Sequence, residues 1–540
     1  MKGKRKKNIQ KADNPAIAYA ITAGYFLLIL IGILHHEMWR DEHQAWLVAR
    51  DAHSISGLFQ NLKYEGNPAL WHLCLYVISS FTSKPVAMQI FHVIIAVSYV
   101  FLFCRYAPFS LSVKILFVLS YFVLYEYALI SRGYGLGVLI AFLICVLFPK
   151  RNSNLLFISL LLLLLANTTV YGLILSSGLA GIIFITIIKE KSYRNISIVK
   201  LTLPAVIFMA GIILSLWQLY PKPGNSFPVS WSEGFDKNRF YLISWKLFSS
   251  YFPIPDLKGM HFWNTNVFTS NQNALNPVIP IIILSICICI FIRKPLALLF
   301  YAGCTAAFGF LFYWTLLVHA RYYGHFYLVL IISFWIARYC KEANIKNTLL
   351  RMMSGFGKMS ENIFLVIVLA VSAAGGITAF SKDFRLKFST SKEAARYIIE
   401  NGLDNLSIVG STDFVISPLS SYLNRPIYYP ERKSLGSFVI WDNKRNSDLK
   451  LMDIFSGVLK FMEKGEKKVL VVLDNQSTYV QNGQTFNLEH AMLSDDVRID
   501  LLKYIPPGIV EDEKYYIFIT EKILQPSYRH RSKILPGPKP

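Results

Sequence analysis

Two acidic motifs flank the first apolar segments of the chain and have the residue types needed for acid–base chemistry. Asp41 and Glu42 are adjacent in "WRDEHQAW", just after one apolar run, and Glu65 lies in "EGNPAL", just before the next. Carboxylates brought together above a membrane cavity suit a general base with an orienting partner, or a cation site. The two motifs therefore predict one shared site.

The first acidic motif has a second interpretation, as the charged face of a helix at a membrane surface. The sequence "DEHQAWLVARDAHSISGLF", which begins at Asp41, has the spacing of an amphipathic interfacial helix, with Trp46, Leu47 and Phe59 facing lipid or protein. However, Asp41 and Glu65 are tethered to the ends of successive apolar segments. This favours a site, because ionisable residues at a membrane edge are costly to bury and by default mark function.

A basic motif, "SRGYGL", places Arg132 and Tyr134 at the head of a glycine-containing apolar segment. An arginine at such a position is too costly to leave unpaired, and its guanidinium fork matches the oxygens of a phosphate group. The alternative is an ion pair within the protein, with Glu126 or another acidic residue as the partner.

A second arginine lies among aromatic residues in "VHARYYGH", where His319 and Tyr322 flank Arg321. In one interpretation these side chains belong to an aromatic belt at the membrane surface. In the other, they hold a phosphorylated lipid head and a sugar ring. The sequence alone leaves both open.

The composition predicts that membrane helices position these motifs. The 540 residues are 54% hydrophobic and 15% aromatic, and the mean hydropathy is positive, beyond what a soluble domain carries. Apolar runs near the length that crosses ~30 Å of hydrocarbon predict a polytopic α-helical protein with about 11 to 13 membrane helices. The longer runs cover 17–34, 86–103, 111–130, 200–219, 278–292, 296–318, 326–337 and 362–380, and the shorter ones 68–82, 134–148, 155–166 and 173–188.

The distribution of basic residues predicts the orientation of the chain. The formal net charge is +22, but the lysines and arginines are spread over short loops, which argues against nucleic acid as a partner and follows the positive-inside rule. The N-terminus is therefore expected in the cytoplasm. The first outer loop, 35–67, the long outer loop, 220–277, and everything after about residue 381 are expected outside a multi-pass cytoplasmic membrane.

One apolar segment before residue 149 cannot cross in the ordinary way. Five such segments separate the predicted cytoplasmic N-terminus from the basic loop 149–152, where only an even number of crossings fits. Segment 68–82 is short enough to be partial or re-entrant, and the exact number of helices between residues 35 and 149 stays open.

Residues 381–540 predict a separate extracytoplasmic α/β domain. Their composition changes to mixed charge with short apolar runs. Helices are predicted at 391–402 and 413–424, and strands at 406–410, 426–429 and 467–475. No nucleotide-binding glycine motif occurs there, so an accessory or acceptor-positioning role is expected.

Together, the motifs and their order resemble the GT-C superfamily of glycosyltransferases, in the branch of the protein O-mannosyltransferases and the lipid A aminoarabinose transferases. That branch has an Asp-Glu pair in the first outer loop, matched by Asp41 and Glu42, and a proline motif opening the next helix, matched by "EGNPAL". An Ala-Arg-x-Tyr-x-Leu motif is matched by "SRGYGL", and a late Arg-Tyr pair by "ARYYGHF". The resemblance spans most of residues 1–380, although Asn67 and Ala69 depart from the family's proline motif.

The resemblance implies that 1–380 is a catalytic module that transfers a sugar from a polyprenyl-phosphate-linked donor to a lipid, glycan or protein acceptor, with inversion. Asp41 would be the catalytic base, and Glu42 and Glu65 would orient the acceptor. A divalent metal ion is the only cofactor considered, with His43, Glu65 and His72 as candidate ligands. The residues that would bind the phosphate and sugar of the donor are Arg132, Tyr134, His319, Arg321 and Tyr322.

Two other classes of membrane protein fit part of the sequence. A non-catalytic protein for envelope polysaccharide transport or assembly would need a continuous polar path, yet charges within the apolar runs are few, Lys114 and Glu126 being the clearest. A polysaccharide polymerase or ligase of another fold would carry its key arginines in large late outer loops. The loop 220–277 has only Arg239.

Overall fold

The computed structural model describes residues 14–227, 229, 231–269, 277–474, 478–481, 484–494 and 496–523. Several sequence predictions concern residues outside these ranges. They are the basic N-terminal segment, the residues 228, 230 and 270–276 of the long outer loop, the last residue of the predicted strand 467–475, and the end of the predicted C-terminal domain beyond 523.

Helices dominate the described residues, which are 63% helical. The helices are α1 (Pro15–His35), α2 (Arg40–Arg50), α3 (Ile55–Asn61), α4 (Leu70–Ser79), α5 (Val86–Tyr106), α6 (Leu111–Val118), α7 (Tyr134–Leu147), α8 (Leu155–Ala166), α9 (Val170–Lys189), α10 (Ile198–Leu219), α11 (Lys237–Tyr251), α12 (Val278–Phe291), α13 (Pro295–Thr315), α14 (Ala320–Ala337), α15 (Thr348–Arg385), α16 (Ser391–Glu400), α17 (Asp413–Leu423) and α18 (Leu451–Glu463).

Seven of the described helices are long and apolar enough to cross a membrane, and they suggest a membrane protein. They are α1, α5, α7 with its 3-10 extension to Ser153, α9, α10, α13 and α15. Helices α4, α8 and α12 are apolar but shorter. At ~1.5 Å per residue, the ten residues of α4 do not cover ~30 Å of hydrocarbon, as expected for a partial segment. The predicted count of 11 to 13 membrane helices stays a prediction.

The predicted run 111–130 is not one helix. Helix α6 ends at Val118 and is followed by an irregular segment, 119–133, which contains a π-helical turn at Phe122–Glu126. Almost every residue of this segment is buried. Gly376 of α15 makes a close approach to it, and a Cβ at that position would overlap backbone atoms of the segment.

The buried carbonyl groups of the irregular segment are paired with side chains of α1 and α5. The hydroxyls of Tyr25 and Tyr99 donate to the carbonyl oxygen of Val123, at 2.6 and 3.2 Å. Nε2 of His92 lies 3.1 Å from the carbonyl oxygen of Tyr127. Irregular backbone is tolerated within an apolar bundle only where protein groups satisfy it in this way.

Both predicted outer loops contain helices. The loop 35–67 forms α2 and α3, so the amphipathic pattern that begins at Asp41 is helical but is interrupted after Arg50. The loop 220–277 contains α11, which was not predicted, and α11 begins at a side-chain cap from Asp236. The predicted module boundary at 380/381 falls inside α15.

The C-terminal region forms a separate small sheet region, as predicted. Its strands are β1 (Ser407–Ser411), β2 (Ile427–Tyr429), β3 (Ser434–Gly436), β4 (Lys468–Leu473), β5 (Thr478–Gln481), β6 (Gln484–Asn487), β7 (His490–Ser494), β8 (Val497–Ile505) and β9 (Tyr515–Lys522). The seven-stranded sheet has the order β3-β2-β1-β4-β9-β8-β7, and β1 is parallel to β2 and β4. Helices α16 and α17 cover one face and α18 the other. The elements predicted between 391 and 474 are confirmed.

Candidate functional site

A cleft of about 390 Å³, including its mouth, opens where four distant parts of the chain meet. They are the start of α2, the turn before α4, the start of α7 and the turn before α9. Among its lining residues are the sequence-predicted Asp41, Glu65, His72, Arg132 and Tyr134. The structure therefore brings both acidic motifs and the first basic motif together, and we refer to this space as the cleft.

Both predicted arginines, Arg132 and Arg321, contact Asp41. Nη1 of Arg132 and Nη2 of Arg321 each lie 3.4 Å from Oδ2 of Asp41, and Nη1 of Arg132 also donates to the Asp41 carbonyl oxygen at 2.6 Å. Burial alone would raise the pKa of Asp41, but the two guanidinium groups outweigh it and hold the pKa below its ordinary value. Asp41 is therefore an ionised carboxylate at neutral pH. The acidic partner of Arg132 is Asp41 and not Glu126.

Arg321 is enclosed by aromatic rings and keeps unused donors. Its guanidinium carbon lies 5.0 Å from the ring centre of Trp39, 5.6 Å from that of Trp263 and 4.7 Å from that of Tyr322. The residue is only 7% exposed, yet its Nε and Nη1 have no hydrogen-bond partner among the described residues. A buried guanidinium with unpaired donors is suited to an anionic ligand, because such donors are otherwise costly to bury.

An aromatic wall continues from Arg321 to the cleft. The Tyr134 ring meets that of Tyr322 edge-on, with centroids 6.2 Å apart, and Tyr171 stacks on Tyr322 at 5.4 Å. His319 lies edge-on to Tyr322 at 5.7 Å. Burial lowers the pKa of His319 to about 4, so its imidazole is uncharged at neutral pH. The wall thus offers flat apolar ring faces and the phenol groups of Tyr134 and Tyr322, two of the residues predicted to bind the donor.

Glu65 differs from Asp41 in protonation. Its Oε1 accepts a hydrogen bond from Gln44 Nε2 at 2.7 Å. Burial raises the pKa of Glu65 to about 7, against the smaller opposing effects of Gln44 and Arg132. The cleft therefore pairs one carboxylate that stays ionised with a second that exchanges its proton near neutrality.

The C-terminal region holds α2, the helix that carries Asp41. The side chain of Gln44 donates to the Val439 carbonyl oxygen at 2.8 Å and accepts from the Val439 N–H at 2.9 Å. The Arg40 N–H donates to Glu513 at 2.9 Å, and its guanidinium pairs with Asp512 at 2.7 Å. Gln44 thus links the sheet region to Glu65 in the cleft, an arrangement suited to a positioning role.

Glu42 does not line the cleft, although it is the neighbour of Asp41. Its carboxylate accepts from the N–H groups of Trp39 and Ser131, at 3.1 and 2.6 Å, and lies 3.3 Å from Nε2 of His36. The other ring nitrogen of His36 lies 3.0 Å from Asp383. Burial lowers the pKa of His36, but Asp383 and Glu42 outweigh it and raise the pKa to about 10. Glu42 thus fixes the start of α2 against the irregular segment.

The three candidate metal ligands do not come together. His72 lines the cleft with Glu65, whereas His43 is buried against Tyr422 of α17, with ring centroids 4.6 Å apart. Burial lowers the pKa of His43 to about 3. Within the described ranges, no group of three or more His, Cys, Asp or Glu side chains has the arrangement of a metal site.

Sequence reasoning missed the residues that position the arginines and Glu65. Trp263 comes from the long loop 220–277, where no local pattern indicates its partner. Tyr171 lies in "NTTVYG", a polar stretch on the predicted outer side between two apolar runs, and that location was a usable signal. Gln44 is three residues after Asp41 on the same helix, and this spacing puts both on one face.

Comparisons with known protein families and with curated proteins find no match for this chain. The chemistry of the cleft is therefore the basis for assigning a function. Arg132 in its lining, together with Arg321 behind Asp41 and the aromatic wall, is suited to hold a phosphate-bearing molecule with a ring. Its two carboxylates, with different protonation at neutral pH, are suited to accept a proton and to orient a hydroxyl group.

Proposed function

We propose that this protein is a membrane glycosyltransferase of the GT-C type, with about 11 to 13 membrane helices, that uses a polyprenyl-phosphate-linked sugar as donor. The observation that carries the proposal is the meeting of Asp41 with Arg132 and Arg321, residues from three segments far apart in the chain. These segments carry three of the four motifs on which the family resemblance is based. The fourth motif supplies Glu65 to the same cleft.

The donor is bound by its phosphate and its sugar in this proposal. Arg321 offers two buried N–H positions without partners among the described residues, and Arg132 contacts the same Asp41 oxygen as Arg321 does. A guanidinium fork pairs with phosphate oxygens in a bidentate manner. Tyr134 and Tyr322 form the aromatic faces next to which a sugar ring packs, and His319 remains neutral beside them.

Transfer proceeds with Asp41 as the base. Asp41 takes the proton of an acceptor hydroxyl, the hydroxyl oxygen attacks the anomeric carbon, and the bond from that carbon to the phosphate oxygen breaks with inversion. The electron pair stays on the departing phosphate, where Arg132 and Arg321 stabilise the negative charge. Both arginines contact Asp41 and neutralise its charge. A donor phosphate that engages them leaves Asp41 a stronger base at the moment it is needed.

The surroundings of the site set the class of acceptor. The cleft is proposed to face the extracytoplasmic side of the cytoplasmic membrane, with the N-terminus in the cytoplasm and the C-terminal region outside. Lipid-linked donors suit this side, because nucleotide sugars are cytosolic. The acceptor is a lipid, glycan or protein of the cell envelope, and Glu65 orients its hydroxyl.

The direct test is transfer by the purified full chain in detergent micelles. A panel of polyprenyl-phosphate sugars is supplied with an envelope extract, and products are identified by mass and by anomeric configuration. We expect one donor to be consumed, polyprenyl phosphate to be released in equal amount, and the product to be inverted. Mass spectrometry of envelope glycans from cells lacking the protein should then reveal one missing sugar.

The same purified protein, reconstituted into lipid vesicles, distinguishes the non-catalytic alternative. In vesicles, a polysaccharide transporter would move lipid-linked sugar across the bilayer without breaking the bond to phosphate. Intact donor on both sides, with no polyprenyl phosphate released from any donor of the panel, would contradict the glycosyltransferase proposal.

A further inference from the structure

Several helices have one end at or near the cleft. Their opposite ends enclose a second space. Helices α7, α9, α13 and α14 contribute to the cleft or its aromatic wall, or pack against that wall, through their ends near Tyr134, Tyr171, Phe312 and Arg321. Their opposite ends lie about 30 Å away for a helix of the length of α9, at ~1.5 Å per residue. This distance matches the thickness of a hydrocarbon layer.

The second space is an open pocket of about 760 Å³, including the solvent at its mouth, with an excess of basic side chains, and we call it the basic pocket. Glu190 pairs with both Arg151 and Lys341, at 2.9 and 3.4 Å. Glu342 likewise pairs with two cations, Arg293 and Lys294 at its rim, at 2.5 and 3.5 Å. Each carboxylate is thus shared by two cations, and Lys189 adds another positive charge to the lining.

Two further features of the basic pocket attract an anion. Arg151 is 9% exposed, and its Nε is buried without a hydrogen-bond partner among the described residues. Helix α13, of 21 residues, begins at the pocket with Pro295 and Leu296, so the positive end of its dipole lies there.

Helix capping accounts for only part of these charges. Arg151 Nη1 donates to the Phe148 carbonyl oxygen at 3.2 Å, and Lys294 Nζ donates to that of Cys340 at 2.9 Å. Basic residues do stabilise helix C-termini in this way. The capping bonds leave Nε of Arg151 unused, and they do not involve Lys341, whose side chain is 82% exposed.

We propose that the basic pocket binds the phosphate headgroup of an anionic phospholipid. The pocket lies between apolar helices, at the end that is predicted to face the cytoplasm, where basic pockets recognise anionic headgroups. Phe148, Leu296 and Tyr339 line it beside the charges and provide apolar contacts for the first carbons of the lipid. The site rests on the membrane location that the apolar helices suggest and on the predicted cytoplasmic orientation of this end, and it is independent of the proposed glycosyltransferase activity.

The test is lipid retention by the purified full chain, measured by native mass spectrometry. The protein in neutral detergent is incubated with equal amounts of phosphatidylglycerol and phosphatidylcholine that have the same acyl chains. We expect wild type to retain one phosphatidylglycerol in preference to phosphatidylcholine. Arg151→Gln and Lys341→Gln should each lower that preference about fivefold, the contribution of one basic residue near an anionic surface.

The matched control is Lys150→Gln, which makes the same change in charge at an exposed neighbour that does not line the pocket. The control should keep the wild-type preference. Equal retention of the two lipids by wild type would overturn the proposal, as would an equal loss in Lys150→Gln. Lys341→Gln keeps the test decisive if Arg151→Gln does not fold, because Lys341 is largely exposed.

A second measurement separates a lipid from free phosphate. The thermal stability of wild type is compared after addition of phosphatidylglycerol, inorganic phosphate or glycerol 3-phosphate. Stabilisation by the lipid at concentrations where the soluble phosphates have no effect supports a lipid site. Stabilisation by inorganic phosphate alone would contradict it.

Discussion

The cleft and the basic pocket lie at opposite ends of the same helices. Both contain arginines, but the arginines are paired with carboxylates in different ways. In the cleft, two guanidinium groups converge on one carboxylate, Asp41, and aromatic rings enclose one of them. In the basic pocket, Glu190 and Glu342 are each shared by two cations, and the side chains of Glu342 and Lys341 are 52% and 82% exposed. Exposed pairs contribute only about 0–1 kcal/mol each, whereas enclosed charges depend on every partner. Single changes should therefore act sharply at Arg321 in the cleft and weakly at Lys341 in the pocket.

The largest effect is expected from Asp41→Asn. This change keeps the shape of the side chain but removes the base and the shared partner of both arginines. Transfer should fall by about 100- to 10,000-fold, the range for loss of a general base. The measurement is the rate of sugar transfer by protein shown to be folded by its elution profile. Asp51→Asn, at the other end of α2, is the control and should stay near the wild-type rate. An undiminished rate in Asp41→Asn would show that Asp41 is not the catalytic base.

Arg321→Lys should have the next largest effect, on donor binding. Lysine keeps the charge but loses the planar fork and its stacking among three aromatic rings. The donor KM should rise about 10- to 100-fold, as expected for lost hydrogen bonds to a charged group. Arg338→Lys, at the far end of α14, is the matched control, because Arg338 pairs with Glu361 at 3.1 Å, away from the cleft. Equal KM values for the two variants would show that Arg321 has a structural role only.

Glu65 predicts the pH dependence of transfer. Burial raises its pKa to about 7, so the carboxylate becomes ionised only as the pH rises through neutrality. Since the ionised form orients the acceptor in the proposed mechanism, kcat/KM should fall as the pH decreases below about 7. Asp41, with a lowered pKa, adds no loss near neutrality.

Two variants test whether Glu65 causes this fall of kcat/KM at acid pH, the acid limb of the profile. Glu65→Gln should abolish the limb and leave a kcat/KM that is lower but independent of pH in this range. Gln44→Leu removes the hydrogen bond that lowers the pKa of Glu65, so the limb should move to higher pH. A limb that persists unchanged in Glu65→Gln would belong to another group.

The smallest effect on transfer is expected at the other end of the helices. Lys341→Gln should change the transfer rate less than about twofold, because an exposed ion pair contributes little to stability. Its rate is measured beside that of Arg321→Lys in the same lipid. A loss in Lys341→Gln as large as in Arg321→Lys would mean that the two ends are coupled, and the contrast between them would be wrong.

For the pair Asp41 and Glu42, the sequence predicted the position of one residue in the site but not that of the other. The pair was predicted to act together, but successive residues on a helix point in different directions, and only Asp41 lines the cleft. Glu42 is the third residue of α2, the position from which a carboxylate reaches back to the N–H at the helix start. That spacing is visible in the sequence, so the structural role of Glu42 could have been predicted.

Other features could not be predicted because they depend on contacts between distant segments. The elements of the sheet region follow local periodicity and turn residues, and their prediction was confirmed from α16 to β4. The irregular segment 119–133 is predominantly apolar, with Glu126 and Arg132 as its only charged residues, and this pattern does not distinguish a helix from buried irregular backbone. Trp263 reaches Arg321 through the fold of a long loop, which leaves no local pattern.

For the membrane location that the apolar helices suggest, the irregular segment also implies an order of biogenesis. Its carbonyl groups at Val123 and Tyr127 find their donors on α1 and α5, at Tyr25, Tyr99 and His92. An unpaired carbonyl in hydrocarbon costs several kcal/mol, so the segment is stable at that depth only beside those two helices. The ribosome synthesises α1 and α5 first. The surface formed by α1 and α5 is therefore made before segment 119–133, which is stable in lipid only when it packs against that surface.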